Sequence, residues 1–115
     1  DWLVVDDYYK QGLEINRTLD RDRAAREHEL AATIQYPVTG DTLMVVMSSD
    51  ANYTLPEQLT VSLLHATRKG YDQVFNVSRS GANRYIVPAA TLKPGRWHVL
   101  IETAQWRVLE EIRVR

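Results

Sequence analysis

Residues 92–99 read Leu-Lys-Pro-Gly-Arg-Trp-His-Val, and they carry the most specific fold signal in the chain. The Pro-Gly pair is typical of a tight turn, because proline fixes its own φ and glycine tolerates positive φ. After the turn, Trp97, Val99 and Ile101 alternate with the residues between them, which predicts a β-strand that buries one face. The stretch therefore predicts a turn that places an aromatic side chain near the start of a half-buried strand.

Six other segments have the same period of two and are separated by turn residues. They cover residues 32–36, 43–47, 59–65, 73–77, 85–87 and 106–114. In the last segment Glu110 interrupts the alternation, and we expect a β-bulge at residues 110–111 to restore it. About seven short strands separated by turns predict a mainly β fold, an antiparallel β-sandwich. A Pro-Gly turn that leads an aromatic residue into the sixth strand is typical of the immunoglobulin-like class of sandwich.

The first 29 residues have a different pattern, with apolar positions spaced three and four residues apart. These positions are Val5, Tyr8, Gly12, Ile15 and Leu19. The spacing predicts one amphipathic α-helix with a narrow apolar stripe, in which Gly12 lowers the helix propensity by about 1 kcal/mol. Residues 1–29 carry a net charge of −3, and residues 30–115 carry one of +2. We therefore expect an N-terminal helix over residues 1–29 and the sandwich over residues 30–115, within one structural unit.

The composition places the chain among ordinary globular domains. Its 115 residues are 44% apolar and 25% charged, which suits one domain with a single core. The net charge is −1, whereas nucleic-acid-binding domains are clearly basic, so no nucleic-acid partner is expected. The absence of cysteine excludes disulfides, thiolate metal sites and cysteine nucleophiles.

The sequence contains no recognisable catalytic motif. No serine lies in a Gly-x-Ser-x-Gly elbow, and the five glycines form no phosphate-binding loop. Glu110 and Glu111 are adjacent, so a strand would direct their carboxylates to opposite faces. We therefore predict that the protein is not an enzyme.

A soft metal such as Cu(I) is the alternative that the sequence leaves open. Met44, His65 and His98 are weak candidate ligands, since thioether sulfur and imidazole nitrogen suit copper. They form no His-x-His or Met-x-x-Met cluster, and methionine also fills irregular cores. We expect no cofactor, and we keep a copper-binding or copper-transfer module as the alternative function.

The N-terminal end of the sequence suggests a position next to a membrane. No run of 18 apolar residues is present, and the first residue is Asp1 rather than methionine. Trp2 stands in an apolar opening, and tryptophan favours the membrane interface. This opening suits a segment that leaves a bilayer, although a Trp2 that packs on its own domain is the more common arrangement.

The order of motifs along the chain resembles the FixH family, also called CcoH. Residues 6–16, Asp-Asp-Tyr-Tyr-Lys-Gln-Gly-Leu-Glu-Ile-Asn, resemble the segment that follows the single transmembrane helix of that family. The further matching pieces are Asp-Arg-Ala-Ala at 22–25, His-x-Thr at 65–67, Asp72, Gly-Arg-Trp at 95–97 and Trp-Arg at 106–107. Ala66 departs from the family, which has proline after the histidine. The resemblance covers nearly the whole chain.

The resemblance implies a bacterial inner-membrane protein with one N-terminal span and this domain in the periplasm. Such proteins accompany a copper-transporting P-type ATPase and an iron–sulfur redox protein. They serve the assembly or maturation of the cbb-type haem–copper cytochrome c oxidase used in microaerobic respiration and symbiotic nitrogen fixation. The family has no established catalytic residues. The expected partners are therefore oxidase subunits, the ATPase, or both.

The membrane-proximal helix is the expected partner-binding site, because aromatic side chains are common binding anchors. The candidate residues are Trp2, Tyr8, Tyr9, Gly12, Ile15 and Leu19. Three alternatives are open for what packs against their apolar stripe. These are the sandwich of the same chain, a transmembrane helix of a partner, or a second copy of the stripe.

Overall fold

In the computed structural model, which describes residues 17–36, 42–89 and 92–115, a helix precedes seven strands. Within the described residues, helix α1 covers residues 17–27. The strands are β1 Ala31–Gln35, β2 Leu43–Ser48, β3 Gln58–His65, β4 Gln73–Ser78, β5 Arg84–Val87, β6 Gly95–Glu102 and β7 Arg107–Val114. A short 3-10 turn, Lys69–Tyr71, connects β3 to β4.

The strands form two sheets that pack face to face. One sheet has the order β1-β2-β5, the other has the order β4-β3-β6-β7, and neighbouring strands are antiparallel. The chain changes sheet between β2 and β3, between β4 and β5, and between β5 and β6, as in Greek-key sandwiches. The prediction of a mainly β, immunoglobulin-like sandwich with a helix near the N-terminus is confirmed.

The core lies between the sheets because each strand directs alternate side chains inward. The inward positions of β2, β3 and β6 are almost completely buried. The largest buried side chains belong to Trp97, Trp106 and Tyr85, and burial of one such group stabilises a fold by about 1.5–3 kcal/mol. The Tyr85 hydroxyl donates a 2.6 Å hydrogen bond to the carbonyl oxygen of Pro56. Burial raises the pKa of Tyr85 above its ordinary value, so the phenol keeps the proton that it donates.

The structure corrects the expectation of a bulge at residues 110–111, which is wrong. Strands β6 and β7 pair without interruption, from the Gly95 pair with Val114 to the Glu102 pair with Arg107. Glu110 therefore keeps the core-facing phase of β7, where it is half-buried. The strand tolerates this carboxylate because β7 is an edge strand, and an inward charge at an edge also opposes pairing with another sheet.

Helix α1 packs on the end of the sandwich where β6 ends and β7 begins. Ala25 is 6% exposed and belongs to the core. The Arg21 guanidinium lies 2.9 Å from the Glu102 carboxylate. The Asp22 carboxylate lies 3.4 Å from the Arg107 guanidinium, so two ion pairs hold α1 on the sheet. In the described ranges, no helix has the length and apolar character needed to cross a membrane.

After residue 27, the chain leaves α1 through a turn closed by two backbone hydrogen bonds. The Leu30 N–H donates to the Ala25 carbonyl at 2.8 Å, and the Glu29 N–H donates to the Arg26 carbonyl at 3.1 Å. This Schellman arrangement places a left-handed residue just after the helix. Glu29 takes that position with a φ of 54°, although glycine is the residue usually found there.

We expect Glu29→Gly to raise the free energy of unfolding by about 0.5–1 kcal/mol, because glycine adopts this conformation without the steric penalty of a Cβ. The matched control is Glu27→Gly, inside the last turn of α1, where glycine lowers the free energy of unfolding by about 0.5–1 kcal/mol. Urea denaturation followed by circular dichroism measures both changes. Destabilisation by Glu29→Gly as large as that by Glu27→Gly would contradict the role given to residue 29.

Candidate functional site

The predicted partner-binding residues fall mostly outside the described part of the chain. The candidates outside the described residues are Trp2, Tyr8, Tyr9, Gly12 and Ile15. Leu19 is the member of the predicted stripe that the structure describes. The binding role of the set stays a prediction, and Leu19 shows which way the stripe faces at this point of α1.

Leu19 points away from the sandwich. Its side chain is 55% exposed, whereas Ala25 on the same helix lies in the core. Successive residues advance by about 100° around a helix, so Leu19 lies about 120° from Ala25. At Leu19 the sandwich of the same chain therefore leaves the apolar stripe uncovered, and this surface is accessible to another molecule.

The three weak copper candidates lie on different surfaces. Met44 is on the outer face of the three-stranded sheet, between β1 and β5. His98 is on the outer face of the four-stranded sheet, and His65 ends β3 in the core-facing phase. Within residues 17–36, 42–89 and 92–115, no three His, Cys, Asp or Glu side chains are grouped to hold a metal ion. The sequence candidates are thus not brought together.

The imidazole of His65 joins two connections at the end of the sandwich opposite α1. Its Nδ1 accepts hydrogen bonds from the backbone N–H groups of Thr67 and Arg68, at 3.2 and 3.1 Å. Its Nε2 lies 3.1 Å from the carbonyl oxygen of Pro94. Because a carbonyl oxygen only accepts, this contact assigns the proton to Nε2. The ring is therefore a neutral imidazole with both nitrogens bonded.

The turn before β6 completes this arrangement. We use the name His65 clamp for His65, Trp97 and Gly95 together with the contacts that they make. The rings of His65 and Trp97 meet edge to face with centroids 4.9 Å apart. The Trp97 indole N–H donates a 2.9 Å hydrogen bond back to the Lys93 carbonyl. Gly95 has a φ of 132°, and a Cβ there would lie 2.5 Å from the His65 Nε2. The predicted Pro-Gly corner therefore closes directly on the histidine ring.

The clamp gives His65 a structural use that the sequence analysis did not find. A metal ion on either ring nitrogen would have to replace a hydrogen bond to the backbone. The signal available in the sequence was Gly95, because a glycine after proline marks a turn and also a site of close approach. The sequence does not say which side chain approaches, since His65 lies 30 residues earlier.

A second surface that the sequence analysis missed crosses the outer face of the four-stranded sheet. Val74, Ser62, Leu100 and Leu109 lie opposite one another on β4, β3, β6 and β7, and we call them the apolar row. Val74 is 66% exposed and Leu109 is 53% exposed. Alternation identifies the buried face of a strand but does not show which outward side chains become neighbours.

Comparison with known proteins finds a family match over nearly the whole chain. The family model described as FixH matches residues 1–113, which include α1 and almost all of the sandwich. Comparison with curated proteins and with solved structures finds no match. The match therefore concerns the complete arrangement of N-terminal segment and sandwich rather than one short motif.

We expect His65→Ala to lower the free energy of unfolding by about 1–2 kcal/mol, because it removes three hydrogen bonds to the backbone and the edge-to-face contact with Trp97. His98→Ala is the matched control, since His98 is half-buried on the outer face of the neighbouring strand. The control is expected to change the free energy of unfolding by less than about 1 kcal/mol. Thermal and urea denaturation compare the two variants, and equal effects would contradict the clamp.

Proposed function

The chain belongs to the FixH family, and from this membership we propose that it is a non-catalytic, membrane-anchored accessory protein of the bacterial periplasm. Its proposed role is to support assembly or maturation of the cbb-type haem–copper cytochrome oxidase, in association with a copper-transporting P-type ATPase. The observation that carries the proposal is the family match over residues 1–113. The proposed membrane anchor is one N-terminal span in the inner membrane.

The proposed activity is binding rather than catalysis. The FixH family is not a known enzyme family. The sequence contains no catalytic motif, and His65 uses both ring nitrogens to hold backbone groups. A domain with these features is best suited to act by binding, through surfaces that hold membrane partners together.

The proposed contact surface is the apolar stripe of the N-terminal segment. Leu19 supports this choice because it is exposed and directed away from the sandwich. The two ion pairs between α1 and the sheet give this part of the stripe a set direction, which lowers the entropy cost of binding. Trp2, Tyr8 and Tyr9 are the proposed anchors, since large aromatic side chains often dominate binding energy.

A copper-binding or copper-transfer module is the alternative function. It would draw its ligands from Met44, His65 and His98, which lie on separate surfaces. Copper at His65 would also break a hydrogen bond of the clamp. The proposed function therefore assigns no copper site or other cofactor to this domain, and the copper content of the purified protein tests that assignment.

We expect the Tyr8→Ala, Tyr9→Ala double variant to reduce the oxidase recovered with the tagged full-length protein by about tenfold or more. Loss of two aromatic anchors at an interface commonly costs this much affinity. The measurement is affinity purification from membranes of microaerobically grown cells, with oxidase subunits, ATPase and copper quantified. Unchanged recovery with a folded domain would contradict the anchor assignment.

A matched pair of apolar substitutions extends the same experiment to the described residues. Leu19→Ala is expected to reduce oxidase recovery, and Ile86→Ala, an exposed residue on the three-stranded sheet, is expected to leave it unchanged. Recovery of copper and ATPase without oxidase would contradict the proposed function and favour the copper module.

A further inference from the structure

The end of the sandwich that carries the His65 clamp has an excess of positive charge. It brings together residues 65–72 after β3, 92–96 at the start of β6 and 111–114 at the end of β7. These residues include five cations and two carboxylates. The described residues at the α1 end, 17–29, 50–57, 79–84 and 102–107, include seven cations and seven carboxylates. The positive charge is therefore concentrated at one end of a chain whose net charge is only −1.

The five cations of this end are exposed to solvent. We call them the basic end, and they are Arg68, Lys69, Lys93, Arg96 and Arg113. Among the described residues, Arg96 is the one member with a carboxylate within 4.0 Å, the Glu111 side chain at 3.3 Å. Most of the positive charge is thus left for a ligand from outside the described chain.

Two members of the basic end oppose each other across a strand pair. Arg96 on β6 lies directly opposite Arg113 on β7. Both side chains point outward, because the adjacent pair, Trp97 and Ile112, faces the core. Like charges directly opposite on one face disfavour pairing of the strands, and Glu111 relieves this repulsion only at Arg96. An anion that binds between the two guanidinium groups would remove the remaining repulsion.

The His65 clamp holds the loops that carry the other cations. The Arg68 backbone N–H donates to Nδ1 of the ring at 3.1 Å, and Nε2 lies 3.1 Å from the Pro94 carbonyl oxygen beside Lys93. The Asp72 carboxylate accepts a 3.0 Å hydrogen bond from the His65 backbone N–H. Both loops are therefore fixed to the same ring, and charges that are already positioned lose less entropy when a ligand binds.

We propose that the basic end binds a carboxylate-rich segment of a partner protein. Three of its five members are arginines, and the planar guanidinium group matches the two oxygens of a carboxylate with two parallel hydrogen bonds. Complementary charge of this kind speeds association and selects the partner. The basic end lies opposite α1, so binding there leaves the apolar stripe at Leu19 accessible.

A protein segment fits this surface better than an anionic bilayer does. Surfaces that bind bilayers combine cations with large apolar side chains that enter the lipid. The exposed loop residues 67–70 and 93–94 are Thr-Arg-Lys-Gly and Lys-Pro, which include no large apolar side chain. Nucleic acid is disfavoured by the net charge of −1.

A labelled peptide of eight glutamates is the probe for this surface. Fluorescence anisotropy with the purified full-length protein is expected to show saturable binding at about 50 mM salt. Binding is expected to weaken by tenfold or more at about 500 mM, because salt screens exposed charges. A peptide of eight glutamines is expected not to bind. Absence of binding by the glutamate peptide at the lower salt concentration overturns the proposal.

Neutral substitutions locate the bound peptide. The Arg68→Gln, Arg113→Gln double variant is expected to bind the glutamate peptide at least tenfold more weakly. The matched control, Arg26→Gln with Arg84→Gln, removes the same charge from exposed positions at the α1 end and is expected to change binding by less than about twofold. Circular dichroism confirms that both double variants are folded. Equal weakening in both would overturn the proposal, because binding would then follow total charge.

Carbodiimide cross-linking tests contact with the same loops. The reagent joins a peptide carboxylate to a lysine amine that it touches, and Lys69 and Lys93 both belong to the basic end. Mass spectrometry is expected to find the glutamate peptide on these two lysines, with less on each in the Arg68→Gln, Arg113→Gln variant. Absence of the peptide from both lysines overturns the proposal.

A competition experiment distinguishes a protein segment from a bilayer. Unlabelled glutamate peptide is expected to displace the labelled peptide more effectively than phosphatidylglycerol nanodiscs at the same concentration of negative charge. Equal or better displacement by the nanodiscs overturns the assignment to a protein partner. None of these measurements uses the oxidase, so their outcomes are independent of the proposed function.

Discussion

The close approach of the His65 ring to Gly95 is the constraint on which one end of the sandwich depends. A side chain at residue 95 would need both a φ of 132° and the space that the imidazole occupies. With glycine there, the ring reaches the Pro94 carbonyl while its other nitrogen holds the turn after β3. Trp97 then enters the core beneath the ring and bonds back to the corner. Two distant connections and one of the two buried core tryptophans thus meet at this contact.

The strands could be predicted from the sequence because alternation in a strand reports burial directly. The same reasoning fails at Glu110, since a period of two does not tell whether a strand is at the edge of its sheet. For Leu19, helical spacing shows that a helix has an apolar face but does not show what covers it. For His65, the alternation along β3 identifies the face of the strand correctly, but the hydrogen-bond partners of the ring come from connections far apart in the sequence. The missing information in each case is tertiary contact rather than local preference.

Within residues 17–36, 42–89 and 92–115, the features described above lie at three places on the sandwich. The clamp at one end has no bonding capacity left on its histidine, and the helix at the other end leaves Leu19 outside the core. Between them, the outer face of the four-stranded sheet carries the apolar row. The chain belongs to the FixH family, and binding to membrane partners is the activity proposed for it.

The two ion pairs at α1 also specify the orientation of the helix, because the helix and the sheet each contribute one positive and one negative charge. Arg21 and Asp22 are neighbours on the helix, and Glu102 and Arg107 are cross-strand partners on the sheet. A helix docked in the reverse orientation would bring two like-charged pairs together, so the four charges specify its polarity. Mechanically, they also form a junction between the N-terminal segment and two adjacent strands. Because the chain continues from α1 into β1 while the ion pairs reach β6 and β7, the helix links the two sheets at this end of the sandwich.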